Sequence, residues 1–294
     1  MKKRFLLTAL LVLLAVVLFG CSGGENATKA EFFQYIVNTE GNAVIIGYTG
    51  NEMSVVIPSK IDGKKVTGIS FSEGSCGIMS EVVIPEGVTK IGEKAFYNCT
   101  TLTKITVPNS VTYIGDNAFK GCTNLVSITL PERVTHFEPS FTESRIAQIT
   151  LPQGVTEIGQ YAFYGCKNLT QIVVPDGVKV ISRSAFSDCT SLRKVTLPQG
   201  LEQIHERAFA GCAKLERLEL PESVTLLGEY AFWNCTSMTY LNIPAATDVI
   251  GIDFLMTSYL PDTVFRGCDK LVLHVKKGSY AEEIFHYKNL VVEE

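Results

Sequence analysis

Prolines stand at positions 85, 108, 131, 152, 175, 198, 221 and 244, and all steps but one are 23 residues; the exception is 21. No other feature constrains this chain as strongly, because a fixed period of this length marks a repeat architecture. An Ala-Phe pair accompanies most steps, at Ala95-Phe96, Ala118-Phe119, Ala162-Phe163, Ala185-Phe186, Ala208-Phe209 and Ala231-Phe232, with Ser140-Phe141 and Val264-Phe265 as variants. Three residues on comes Cys99, Cys122, Cys166, Cys189, Cys212, Cys235 or Cys268. Cys76 opens the column and Ser144 replaces the cysteine in the shortened unit, which makes nine turns.

One unit reads Leu102-x-x-Ile105-x-Val107-Pro108-x-x-Val111-x-x-Ile114-Gly115-x-x-Ala118-Phe119-x-x-Cys122. Ile105 and Val107 alternate with Thr106, the pattern of a short strand. Pro108 ends it, since proline cannot donate to a ladder. Gly115 suits a turn with positive φ. The Ala-Phe stretch is too short for a full helix and predicts a helical turn or extended backing. Nearly drift-free repetition stacks each residue on its own kind in the next turn, which is a solenoid with a continuous core. At about 4.8 Å per strand, nine turns give a rod roughly 40 Å long.

The unit resembles the BspA-like class of bacterial leucine-rich repeats. The motif recurs across residues 76–275, and Ile57–Val66 resembles that family's first turn. The resemblance implies a leucine-rich-repeat solenoid with short parallel strands on one face, and adhesion to proteins of a host or neighbouring cell. Strands are expected at Phe33–Val37, Ala43–Tyr48 and Ser54–Ile57, forming a β-rich N-terminal cap over 31–57 before a solenoid over 58–275. A small α/β C-terminal cap is expected over 276–294. It consists of a helix from Ser279 to about Tyr287, with Ser279 and Glu282 as a capping box, and a strand at Leu290–Val292.

The N-terminus supplies an address. Lys2, Lys3 and Arg4 precede an uncharged, mostly apolar run from Phe5 to Phe19. That pattern is a secretory signal, too short for a comfortable transmembrane helix. Gly20-Cys21 resembles the lipobox of bacterial lipoproteins, which implies a signal peptide over 1–20 and lipid attachment at Cys21. The alternative is an ordinary signal with a bystander cysteine. Residues 21–30 are polar and act as a flexible tether. The expected location is outside the cytoplasmic membrane, lipid-anchored at the bacterial cell surface.

Composition removes whole classes of function. The formal charge is −4, from 26 basic and 30 acidic residues, and loss of the leader's three cations makes it −7. Such a surface does not attract phosphate backbones, so nucleic acid is not an expected partner. No Gly-rich phosphate loop or G-x-S-x-G elbow occurs, and no cofactor, metal site or enzyme activity is expected. His205-Glu206 is read as a solvated loop and His136 and His274 as single residues in structural slots. The cysteines outside Cys21 are read as buried thiols, because in-register Cβ atoms lie farther apart than the roughly 3.8 Å a disulfide prefers.

Outward strand positions form two columns. One runs Glu81, Lys104, Ser127, Gln148, Gln171, Lys194, Arg217, Tyr240; the other runs Val83, Thr106, Thr129, Thr150, Val173, Thr196, Glu219, Asn242. Arg and Tyr are typical interface anchors. Ten extra residues separate Phe232 from Phe265, placed around Thr247–Ser258, and such insertions map to one face of a solenoid. Lys194, Arg217, Glu219, Tyr240 and Asn242, with Phe254 and Met256 from the insertion, are therefore the candidate binding residues for an extracellular or host protein. The insertion's apolar residues alternatively tuck over the last turn. A scaffolding envelope lipoprotein is the second functional reading. Glycan binding or a glycan-processing accessory role ranks lower, because it calls for several exposed aromatics on one face and the strand face offers mainly Tyr240.

Overall fold

The computed structural model describes residues 27–72, 75–135, 140–252, 260–285 and 289–294. Among the described residues, most turns contribute a strand to a front ladder, a short strand to a back ladder and a tight turn along a third edge. The front ladder starts at Ser54–Val56, Glu81–Val83 and Lys104–Thr106, with Glu81 opposite Lys104 and Val83 opposite Thr106. It proceeds through Ser127–Thr129, Gln148–Thr150, Gln171–Val173 and Lys194–Thr196 to Arg217–Leu218 and Tyr240–Ile243. All these pairs are parallel, in the register expected from the repeat.

The back ladder was not legible as strands. It runs from Lys90–Ile91 and Tyr113–Ile114 through Glu157–Ile158, Val180–Ile181 and Gln203–Ile204 to Leu226–Gly228 and Val249–Ile252. These pairs too are parallel, and the inward residues Ile91, Ile114, Ile158, Ile181, Ile204 and Leu227 are buried. Expected strands at Phe33–Val37 and Ala43–Tyr48 are present as an antiparallel pair, and Ala43–Tyr48 then pairs in parallel with Lys64–Ile69.

The Ala-Phe stretch is a tight turn held by backbone bonds between units: Phe96 N–H donates to Ala118 O at 2.7 Å and Phe186 N–H to Ala208 O at 2.8 Å. The residue before each Ala is left-handed, as at Lys94 (φ 55°) and Ser184 (φ 53°), and so is the residue before each cysteine from Cys99 to Cys268. Gly115 differs from expectation. It is not among the positive-φ residues, and a Cβ there would come within 2.6 Å of Glu93 N. Its role is close approach of successive turns, not turn conformation.

The Phe residues form one file. Rings from Phe96 through Phe119, Phe141, Phe163, Phe186 and Phe209 to Phe232 lie 5.3–5.6 Å apart with planes within 8° of parallel. Phe141 keeps its place although its unit is two residues short. Phe71 meets Phe96 edge-on at 90°, and Phe285 meets Phe265 at 62°, so the stack ends in turned rings.

The cysteine file corrects the expectation in part. Cys76 and Cys99, contrary to expectation, form a disulfide: their Cα atoms on adjacent turns are 5.5 Å apart, inside the range a disulfide spans. The six other repeat thiols are not in disulfides, and all are buried. They are also more than small hydrophobes. Cys122, Cys166, Cys189, Cys212, Cys235 and Cys268 each donate to the Phe carbonyl of the preceding turn at 3.0–3.2 Å. Burial pushes the thiols of Cys122 and Cys166 up to about 12, leaving them protonated and inert.

The insertion starts later than expected. Thr247 is buried with its hydroxyl donating to Val224 O at 2.7 Å, and Val249–Ile252 continues the back ladder beside Leu226–Gly228, with an extra residue at Gly251 between the pairs Leu227–Ile250 and Gly228–Ile252. The sequence placed the insertion too early because the two-residue back strands had not been recognised. Phe254, Leu255 and Met256 lie outside the described residues, as do the leader, Cys21, His136 and Pro139. At the C-terminal end, Val272–Lys276 joins the front ladder beside Tyr240–Ile243, and Leu290–Glu293 follows it. The final helix is shorter than expected, Tyr280–Ile284, because Phe285 leaves helical geometry and buries its ring. Ser279 caps it as expected, accepting from Glu282 N–H at 3.2 Å, while the Glu282 carboxylate accepts from Gly278 N–H at 2.6 Å.

Candidate interaction surface

Strand alternation decides which side chains reach solvent on the front ladder. Leu218, Leu241 and Leu273 point inward and are buried, so Arg217, Glu219, Tyr240, Asn242 and His274 point outward. Arg217 lies directly opposite Tyr240, and its guanidinium sits 3.8 Å from the ring centroid. This is close cation–π geometry on an exposed ladder. Glu219 flanks Arg217 at 3.7 Å, and both side chains are well exposed. Lys194 stands one turn earlier in the same column, exposed and opposite Gln171. From its outward position the Asn242 amide lies back along the ladder on the preceding turn: it accepts from Leu220 N–H at 2.7 Å and donates to Leu220 O at 2.8 Å.

The cluster extends past the residues the repeat pointed to. Tyr240 packs against His274 with ring centroids 4.4 Å apart. His274 Nδ1 lies 3.2 Å from Glu293, whose other oxygen accepts from Lys276 Nζ at 3.0 Å. The hydrogen bond from Lys276, then that from His274, holds the Glu293 carboxyl below its usual range. His274 is thus no isolated structural residue; it belongs to the same outward column as Asn242. The repeat hid it because Val272 follows Tyr240 by 32 residues. The insertion added to the period gives 33 residues, which from Asn242 lands on the buried Val275, one residue past His274.

His205 and Glu206 also differ from expectation. Glu206 is not solvated: its side chain is 10% exposed and lies 3.5 Å from Arg183 and 3.3 Å from Arg207. Arg183 precedes it by one period, so stacking supplies the partner. His205 is half-buried against Gln203 at 2.9 Å, and burial lowers its pKa. Among the described residues, no group of three His, Cys, Asp or Glu side chains could hold a metal ion, and no helix is long and apolar enough to cross a membrane.

Comparison with known proteins agrees with this architecture. Six copies of the BspA type leucine rich repeat region match residues 64–189 and 138–272. A leucine-rich repeat protein of T. pallidum is 31% identical, over 65% of this chain and 80% of that one, with a TM-score of 0.47. The pneumococcal vaccine antigen PcpA is similar at 20% identity over 88% and 82% of the two chains, with a TM-score of 0.45. A leucine rich cell surface protein from Faecalibacterium prausnitzii is similar at 23% identity over 88% and 97%, with a TM-score of 0.36. No curated protein is significantly similar to the chain. The period, the parallel ladders and the matched repeats together make this chain a member of the BspA type leucine-rich repeat family.

Proposed function

We propose that the chain is a cell-surface lipoprotein whose front ladder binds an extracellular or host protein through its last turns. The observation that carries this reading is the Arg217–Tyr240 stack at 3.8 Å, extended by His274 and Glu293 on one side and Glu219 on the other. Arg and Tyr presented on rigid strands lose little entropy on binding, and both are favoured anchors. Lys194 adds a cation one turn away, and Phe254 and Met256 of the insertion are proposed to complete the surface. Asn242 acts by fixing the ladder under Tyr240. Leucine-rich repeat proteins generally bind protein partners, and family membership supports that part of the reading. The leader Met1–Gly20 supports export, and lipid on Cys21 would hold the rod near a membrane, since acyl chains contribute about 0.8 kcal/mol per buried methylene.

The test is a pull-down from extracellular matrix, mucin and envelope fractions with the mature protein, compared with an Arg217→Ala/Tyr240→Ala variant. A partner captured by the native protein and lost by the variant supports the reading. Equal capture by both removes the front-face assignment. Metabolic labelling with a fatty acid, repeated with Cys21→Ala, tests the anchor separately.

A further inference from the structure

Apart from the strand face, we infer that the turn edge of the rod carries a groove for a neutral, extended β-linked oligosaccharide, centred on Tyr164 and Asp188 and continued by Tyr230 and Trp233.

The groove is built by an alternation that the core does not need. From Asn98 on, the position before each cysteine, or before Ser144 in the shortened turn, reads Asn98, Gly121, Glu143, Gly165, Asp188, Gly211, Asn234, Gly267. These residues share left-handed φ. Backbone bonds tie them turn to turn, as from Glu143 N–H to Tyr164 O at 2.7 Å and Gly211 N–H to Trp233 O at 2.7 Å. Every second member is glycine, and each glycine lies beside the polar side chain of the preceding turn. A Cβ on Gly121 would collide with Asn98 Oδ1, and one on Gly211 with Asp188 Oδ1. On Gly165 it would lie 3.2 Å from Glu143 Cγ. The result is a row of planar amide and carboxylate groups at two-turn intervals, about 10 Å. That is about the length of a disaccharide in an extended chain.

Between them runs a groove of about 700 Å³ lined by Asn98, Glu143, Tyr164, Lys167, Asp188 and Thr190, among others. Pockets of this volume take ligands of several rings. Tyr164 forms an aromatic wall, with its ring edge-on to Tyr161 at 5.8 Å. Burial, then the neighbouring Asp188 carboxylate, raises the pKa of its hydroxyl. Three turns further along, Tyr230 and Trp233 repeat the edge-on pair at 6.3 Å, and Trp233 is 38% exposed. Arg207 lies over Tyr230 at 4.9 Å.

Sugar rings offer C–H faces to aromatic rings and adjacent hydroxyls to planar acceptors, and this edge presents both. Glu143 and Asp188 disfavour an anionic polymer. The several aromatics that a glycan reading demands are not on the strand face, which offers mainly Tyr240; they flank Ala162-Phe163 and Ala231-Phe232 here.

Trp233 is the chain's single tryptophan, so its fluorescence reports whether a bound chain reaches past the Asp188 turn along this edge. The full-length protein is titrated with neutral β-1,4-linked hexasaccharides of glucose and of N-acetylglucosamine, and with the matching disaccharides, by calorimetry and Trp233 emission. A hexasaccharide should bind and shift the emission, and the disaccharide should bind at least about tenfold more weakly. Tyr164→Ala and Asp188→Asn should each weaken the hexasaccharide about tenfold or more; asparagine keeps the left-handed backbone, and circular dichroism verifies the fold. Arg217→Ala/Tyr240→Ala should leave this binding unchanged, which separates its failure from failure of the strand-face reading. Absence of hexasaccharide binding at millimolar concentration overturns the inference. So does unchanged affinity in both groove variants, or binding only of a Lys- and Pro-rich peptide offered in parallel.

Discussion

Inner files and outer columns of the same turns follow opposite rules. Ile172 faces the core and is buried, while its neighbour Val173 is 63% exposed. Inside, each side chain meets its own copy one turn away, so Phe stacks on Phe and each cysteine reaches the preceding Phe carbonyl. A change of size there propagates along the file. Outside, a residue need only suit a strand or a turn, so the columns drift from threonines in the middle to Arg217 and Tyr240 at one end. The interior specifies the rod, and the exterior is left free for recognition.

The largest effect should come from breaking an inner file. Phe186→Ala should cost about 3–5 kcal/mol in urea unfolding, whereas Val173→Ala should fall within about 0.5 kcal/mol. Equal costs would erase the distinction. Next is a close backbone approach between turns: a Cβ on Gly228 would collide with Glu206 N, so Gly228→Ala should cost about 1–3 kcal/mol. Removing one thiol donor is milder. Cys212→Ala leaves Phe186 O without its 3.2 Å contact and should cost about 1–2 kcal/mol. The native repeat thiols should also resist an aromatic disulfide reagent until the protein unfolds.

The smallest effect is on pH dependence. Burial lowers the pKa of His205 below its ordinary 6.5. The unfolded chain therefore takes up a proton that the folded chain resists. This contribution leaves stability unchanged well above pH 6.5 and reduces it as the pH falls below that value. Urea midpoints at pH 7.5 and pH 5.5 should show a small acid loss that His205→Gln diminishes.

Legibility in the sequence followed the same division. The Phe file, the front ladder and its two outward columns were readable, because like residues recur at one spacing. The back ladder was hidden because two-residue strands such as Gln203–Ile204 are too short to alternate. The disulfide, the thiol-to-carbonyl bonds and the Arg183–Glu206–Arg207 group depend on which atoms meet between turns, and spacing does not reveal that. On the candidate surface, Arg217 and Tyr240 were found by column. His274 and Glu293 were missed where the insertion shifts the period. The turn-edge aromatics were in plain view at Tyr161, Tyr164, Tyr230 and Trp233, but without the turn geometry nothing placed them on one side.

The most direct test of the stacked rod is a pair of electron–electron distance measurements between nitroxides on engineered front-ladder cysteines. The buried native thiols should not take the label. One pair is Thr106 and Thr196, four rungs apart and roughly 19 Å along the axis; the other is Glu81 and Arg217, six rungs apart and roughly 29 Å. The account predicts narrow distributions whose centres differ by about 10 Å, the rise of two rungs. Distances that do not grow with rung number, or broad distributions at both pairs, would contradict it.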